Sequence, residues 1–172
     1  MQDSIKIDDE LNLRFLKPDD AKVIFEILQE DPYIRHYVGL FSECSSEELV
    51  RAKIQDQMEH GALRYGIEKD GDLIGYIGIW QDPDVTELVQ YNISYFLSRG
   101  HRGDGIVTKA VQKILVESEE HLEVDRFSAL IEEGNEASAA ILANLGFVSK
   151  DEPQENSHGK VSWEYVREVS TK

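Results

Sequence analysis

The chain has 172 residues, a formal net charge of −16 and a hydrophobic fraction of 41%, which is length enough for one domain that buries its own core. The acidic balance argues against general binding to nucleic acid, whose phosphates it would repel, and favours a cationic partner such as an amine or a basic peptide. No apolar run approaches the roughly 20 residues of a bilayer span, the polar stretch Met1–Glu10 is not a secretory signal, and the lone Cys44 excludes an intramolecular disulfide. These features point to the cytoplasm.

Leu11-Asn12-Leu13-Arg14-Phe15-Leu16 alternates as a half-buried strand does. Pro18-Asp19-Asp20 starts a helix with Ala21, Ile24, Phe25 and Leu28 on one face, and Asp31-Pro32 ends it. Tyr33 to Phe41 reads as an aromatic-rich connection. Ser45 and Glu48 have capping-box spacing ahead of a helix carrying Leu49, Ala52, Ile54 and Met58, which stops near Gly61. Leu63–Glu68 and Leu73–Trp80 read as strands joined by the turn Lys69-Asp70-Gly71-Asp72. Gln81–Asp84 breaks the sheet, and Thr86–Leu97 forms the next strand. A long helix follows, then the strand Arg126–Ile131. A short helix spans about Asn135 to Asn144 and ends at Gly146. Phe147-Val148 begins another strand, Asp151–Gly159 reads as a mobile polar loop, and Val161–Val169 is a final strand. The expected architecture is a mixed α/β sheet flanked by helices, in a single domain spanning 1–172 with its core at about 11–169.

One stretch in this order has a chemical use. Ser98-Arg99-Gly100-His101-Arg102-Gly103-Asp104-Gly105 joins a strand to a helix whose Val107, Ala110, Val111, Ile114 and Leu115 share a face. Glycines there let the backbone approach a ligand closely. The first turn of the helix offers unpaired N–H groups and a partial positive charge to an anion. Arg99, Arg102 and Lys109 are expected to form a positive patch around it. The alternative is a glycine-rich loop without a ligand.

Two motifs together resemble those of the GNAT superfamily of acetyl-CoA-dependent N-acetyltransferases, closest to its ribosomal-protein N-terminal branch. They are Arg102-Gly103-Asp104-Gly105-Ile106-Val107-Thr108, and Asn135-Glu136-Ala137-Ser138 with Gly146-Phe147 behind it. The resemblance implies the GNAT fold and acetyl-CoA as cofactor, with CoA as product. The backbone from Arg102 through Gly103, Asp104, Gly105, Ile106 and Val107 to Thr108 would hold the pyrophosphate. The strand ending at Phe96 and Leu97 would splay from the Phe127–Ile131 strand and admit the pantetheine arm. Asn135 would contact that arm, and Ser138 would protonate the leaving thiolate. Val107 and Asp104 depart from the family pattern: Val107 could crowd the phosphates, and the Asp104 carboxylate costs affinity unless it faces solvent or pairs with Arg102.

Acetyl transfer needs a neutral amine, a donor for the developing oxyanion and a proton for the thiolate. By resemblance, a backbone N–H at the end of the Tyr91–Leu97 strand serves the oxyanion. Relatives carry a glutamate base where this chain has Asn92, which cannot take a proton but can position the amine. Glu132 and Glu133 are candidate bases beside ordered water, and Glu87 lies five residues from Asn92. Arg35, Tyr37 and Trp80 could line an acceptor pocket or belong to the core. His36, His60, His101, His121 and His158 lack metal-ligand spacing, so no metal is expected. The acceptor would be a basic protein N-terminus or a small amine, attacked directly in a ternary complex. The rivals are an acyl-CoA-binding sensor or pseudoenzyme of the same fold and a non-enzymatic interaction domain. An exposed sheet edge would permit a homodimer.

Overall fold

The structure, a computed structural model, describes residues 1–38, 41–59, 62–156 and 159–170, without the side chains of Arg35, His36, Gln57, Met58 and Glu59. The expectations placed on Arg35, His36, Met58, His60, Gly61 and His158 lie outside the described residues or side chains. The strands are β1 (Ser4–Lys6), β2 (Leu11–Phe15), β3 (Leu63–Lys69), β4 (Asp72–Gln81), β5 (Gln90–Leu97), β6 (Arg126–Glu132), β7 (Val148–Ser149), β8 (Gln154–Glu155) and β9 (Val161–Glu168). The helices are α1 (Ala21–Glu30), α2 (Pro32–Tyr37), α3 (Glu47–Glu59), α4 (Ile106–His121) and α5 (Glu136–Asn144).

Among the described residues the strands form one sheet in the order β1-β2-β3-β4-β5-β6-β9-β7, with β8 beside β9. β1 to β5 run antiparallel, each beside its sequence neighbour. Asp70 (φ 52°) and Gly71 (φ 89°) close the β3–β4 hairpin with the left-handed backbone that matches strand twist. β5 and β6 are parallel, which requires a crossover, and α4 supplies it.

Strand alternation sends side chains to two faces. On one face, Leu13, Ile67, Ile77, Ile79 and Ile93 pack with Val111 and Ile114 of α4 in the main core. On the other, Tyr76 and Phe96 meet Ile24 and Leu28 of α1, Ile34 of α2 and Val50 and Ile54 of α3. Phe41 stands edge-on to Tyr76 and Phe96, with ring centres 5.3 and 5.8 Å away, and the lone Cys44 is buried in the same cluster.

Several local expectations are corrected. Pro32–Tyr37 is a helix, not a connection, because the Asp31 carboxylate accepts from Tyr33 N (2.9 Å) as its N-cap and Pro32 sits at its first position. The cap of α3 is Ser46, whose Oγ accepts from Leu49 N, so the expected box at Ser45 is displaced by one residue. On this helix Ile54 is buried as expected and Val50 is buried with it, whereas Leu49 and Ala52 are exposed. β5 begins at Gln90 rather than Thr86. The segment before it turns on Asp82, which accepts from Asp84 N, and is tied to Asp125 through Val89 N. The polar loop after Asp151 contains β8, and the first ten residues contain β1, whose Ile5 joins the main core.

Candidate active site

β5 and β6 pair only at Gln90–Arg126, Tyr91–Phe127 and Asn92–Ser128. Beyond Asn92, β5 stays bonded to β4 as far as Leu97, while β6 stays bonded to β9 as far as Glu132. The strands therefore splay and leave backbone polar groups of β5 unpaired on the β6 side. An extended chain can bond to such an edge as a strand would.

A cleft of about 570 Å³ opens there. Tyr95, Phe96 and Leu97 line it from β5, Asn135 and Ser138 from the start of α5, and Arg102, Gly103, Gly105, Ile106, Val107 and Thr108 from the glycine loop and α4. Gly103 (φ 96°) and Gly105 (φ 71°) hold left-handed backbone, and a Cβ on either would meet nothing within 4 Å. The first α4 hydrogen bond is Lys109 N to Gly105 O. The N–H groups of Gly103 through Thr108 therefore have no acceptor among the described residues. They form an open cradle of the kind that takes phosphate. Val107 packs against the main core and also lines the cleft. Asp104 is exposed to solvent and does not line the cleft, which is the arrangement that limits its cost.

The expected positive patch is largely spent on protein partners. Arg102 donates from Nε and Nη2 to Leu97 O (3.0 and 2.8 Å), and its Nη1 stands 2.6 Å from the buried Asp31 carboxylate. Lys109 pairs with Asp8 at 2.9 Å. Of these groups, the backbone amides of Gly103 to Thr108 are the donors left without a protein partner among the described residues.

Asn135 Oδ1 accepts from Ser138 N (3.3 Å), so Asn135 is the N-cap of α5. The Tyr95 hydroxyl donates to Ser138 O at 3.4 Å. Burial pushes the Tyr95 phenol up to about 12, against a smaller opposing effect of the Ser138 hydrogen bond, so it stays protonated at neutral pH.

A second cavity of about 700 Å³ lies on the other side of the splay. Asn92, Ile93 and Ser94 line it, whereas Tyr95 to Leu97 line the cleft, and Tyr37 and Val38 border both. One strand thus passes from one cavity to the other. Trp80 lines the second cavity. Asn92 donates from Nδ2 to Asp82 Oδ2 at 2.9 Å. Ser128 Oγ donates to Glu164 (2.8 Å), whose other oxygen holds Lys150 at 2.6 Å. Glu132 is buried in this cavity rather than in the first cleft, and bonds Lys160 (3.2 Å) and Asn156 (3.0 Å). Glu133 is exposed.

Asp82, Tyr95 and Glu164 carry much of this arrangement, and the sequence expectations gave them no role in it. Asp82-Pro83 reads locally as a sheet breaker, and only the β4–β5 register brings Asp82 to Asn92. The available signal was parity: Asn92 opposite Ser128, and Glu164 two places from Ser128's partner Val166, share one sheet face.

The sequence profile described as "Acetyltransferase (GNAT) domain" matches residues 10–148. The "Putative ribosomal N-acetyltransferase YdaF" of Bacillus subtilis is 26% identical over 151 residues, covering 84% of this chain and 81% of that protein. The ribosomal-protein-serine acetyltransferase of Escherichia coli is 23% identical over 153 residues, covering 86% and 84%. RimL, a ribosomal L7/L12 alpha-N-protein acetyltransferase solved with coenzyme A, superposes with a TM-score of 0.84 at 17% identity over 96% of this chain and 98% of that one.

Proposed function

The chain belongs to the GNAT acetyltransferase family, and we propose that it moves an acetyl group from acetyl-CoA to a primary amine by direct attack in a ternary complex. The observation that carries this reading is the splay of β5 from β6, with an amide cradle and cleft on one side and a polar cavity on the other. Acetyl-CoA supplies an activated thioester. The N–H groups of Gly103 to Thr108 hold its pyrophosphate, and the free edge of β5 from Ile93 to Leu97 bonds its pantetheine arm beside Asn135. A backbone N–H near the end of β5 donates to the thioester carbonyl oxygen as negative charge develops there. The amine enters from the second cavity, positioned by Asn92. The Asp82 carboxylate is the base that takes its proton, because it accepts from Asn92 directly, whereas Glu132 is paired with Lys160. Ser138 passes a proton to the departing thiolate and regains one from water, to which the proton taken from the amine returns. The relatives' names favour the N-terminal amine of a ribosomal protein as acceptor, with a small amine as the alternative.

Thermal unfolding with and without acetyl-CoA tests the cofactor half, because a ligand held only by the native state raises the midpoint. The wild type shifts upward, and Gly105→Glu, which puts a carboxylate in the cradle, does not shift whatever its own midpoint. Thiol release with a panel of amines and N-terminal peptides tests the transfer. No shift and no release would overturn the reading.

A further inference from the structure

We propose that Arg64, laid over the Trp80 ring, is a carboxylate subsite of the acceptor cavity, so that the acceptor carries an acid group close to its reacting amine. This deepens, and rests on, the reading that the cavity receives the amine.

Strand register sets Arg64 opposite Gly78 and Gly78 opposite Ser94, a row across β3, β4 and β5 on the face shared with Tyr76 and Trp80. The missing side chain at Gly78 makes the site possible: a Cβ there would clash with the Tyr76 hydroxyl and stand 3.0 Å from Arg64 Cδ. Arg64 therefore folds back over β4. Its guanidinium carbon lies 4.9 Å from the centre of the Trp80 ring and 5.9 Å from that of Tyr76, and Nη1 donates to the Tyr76 hydroxyl. Burial pushes the Tyr76 phenol up, against a smaller opposing effect of Arg64, so the phenol stays neutral and leaves the arginine charge uncancelled.

The other basic side chains lining the cavity each have an acid: Arg126 with Glu168 (2.7 Å) and Lys150 with Glu164 (2.6 Å). Arg64 has no carboxylate partner among the described residues. Its Nε is buried without an acceptor among the described residues. The chain has 34 acidic residues against 18 basic ones, and Asp82, Glu132 and Glu164 line the same cavity, so an arginine left without an ion-pair partner does not reflect a shortage of acids. Unmet donors around a charged group are costly until a ligand satisfies them. A planar guanidinium fixed by stacking on an indole matches a carboxylate, which it binds through two parallel N–H bonds. Two strand spacings, about 10 Å, separate β3 from β5. An acid held at Arg64 is therefore within the span of one small amino acid or a short peptide from the strand where the amine reacts. The carboxylate is that of a free amino acid or of an Asp or Glu side chain near a peptide N-terminus.

Direct binding tests this without requiring turnover. N-acetyl amino acids and their carboxamides, which mimic product, are titrated calorimetrically into the full chain with CoA present. Acetylated dipeptide amides with Asp or Asn, and Glu or Gln, in the second position form the other arm. A preference in the first arm identifies the free amino acid, and in the second the peptide. At least one acid binds about tenfold or more tighter than its amide, the gain of a charge-assisted pair. Arg64→Gln abolishes the preference and Arg64→Lys restores part of it, while CoA affinity, measured in the same samples, stays at the wild-type value because Arg64 is outside the cofactor cleft. Equal binding of acid and amide, no binding of either at millimolar concentration, or a preference that survives Arg64→Gln would overturn the subsite. Failure of the transferase reading has a different signature: no thiol release with any amine, with the carboxylate preference intact.

Discussion

Ser138 and Asn135 occupy one helical turn but serve it through different atoms. Asn135 holds the turn with its side-chain oxygen on Ser138 N, whereas the Ser138 hydroxyl is not the cap. Their substitutions should therefore separate. Ser138→Ala lowers kcat by roughly 100-fold, the scale of losing a positioned acid, and leaves the unfolding midpoint and acetyl-CoA affinity near wild type. Asn135→Ala instead removes the cap and costs about 1 kcal/mol of stability. Asn135→Asp recovers that stability, because a carboxylate also caps, but loses the amide donor and with it cofactor affinity. Thiol-release kinetics beside thermal melts of the three variants decide it, and a Ser138→Ala protein with wild-type kcat would remove Ser138 from the mechanism.

At the level of elements, one ion pair joins the cofactor cleft to the segment between the two cavities. Asp31 caps α2 with one oxygen and holds Arg102 with the other. Arg102 in turn grips the carbonyl of Leu97, where β5 ends and the glycine loop begins. Arg102→Met leaves Asp31 buried without its counter-charge. The loss is about 2 kcal/mol, less than for a wholly buried pair because the arginine is partly solvated. It also loosens the cradle, so KM for acetyl-CoA rises more than kcat falls. A melt and a saturation curve on this variant check both, and an unchanged KM would show that the cradle stands without the clamp. The elements themselves differ in how readable they are. The strand, glycine loop and α4 are legible in sequence because positive-φ glycines, alternation and an apolar helical face all act locally. The hairpin at Asp70-Gly71 is legible for the same reason. α2 is not, because six residues carry too little periodicity and the helix depends on a cap and on Ile34 reaching the second core. β8 exists only through its pairing with β9. Asp82 beside Asn92, and Arg64 over Trp80, are products of register across β3, β4 and β5, which no short window of sequence contains.

The pH response belongs to the whole molecule, since groups from several strands contribute to it. On the acid side, desolvation raises the Asp20 carboxyl, but hydrogen bonding to Arg14 and to Lys17 N outweighs it and holds the group below its usual value. That stability is present above the ordinary carboxylate range and lost as pH falls through the lowered native value. On the alkaline side, burial pushes Tyr65, Tyr76 and Tyr95 up, Tyr95 to about 12. These phenols keep their protons in the native state after the unfolded chain has lost its own near pH 10. Their contribution is intact below pH 10, and stability falls as pH rises from there toward the native values. Each such phenol adds a slope of about 1.4 kcal/mol per pH unit. Tyr95→Phe keeps the ring in the wall of the cleft and removes one titrating group. Its stability, measured by denaturant unfolding across the alkaline range, therefore declines less steeply than that of the wild type by about that slope, up to pH 12. A decline of unchanged steepness would mean that the Tyr95 hydroxyl is reached by water in the native state and is not the protonated, buried donor to Ser138 that the cleft geometry describes.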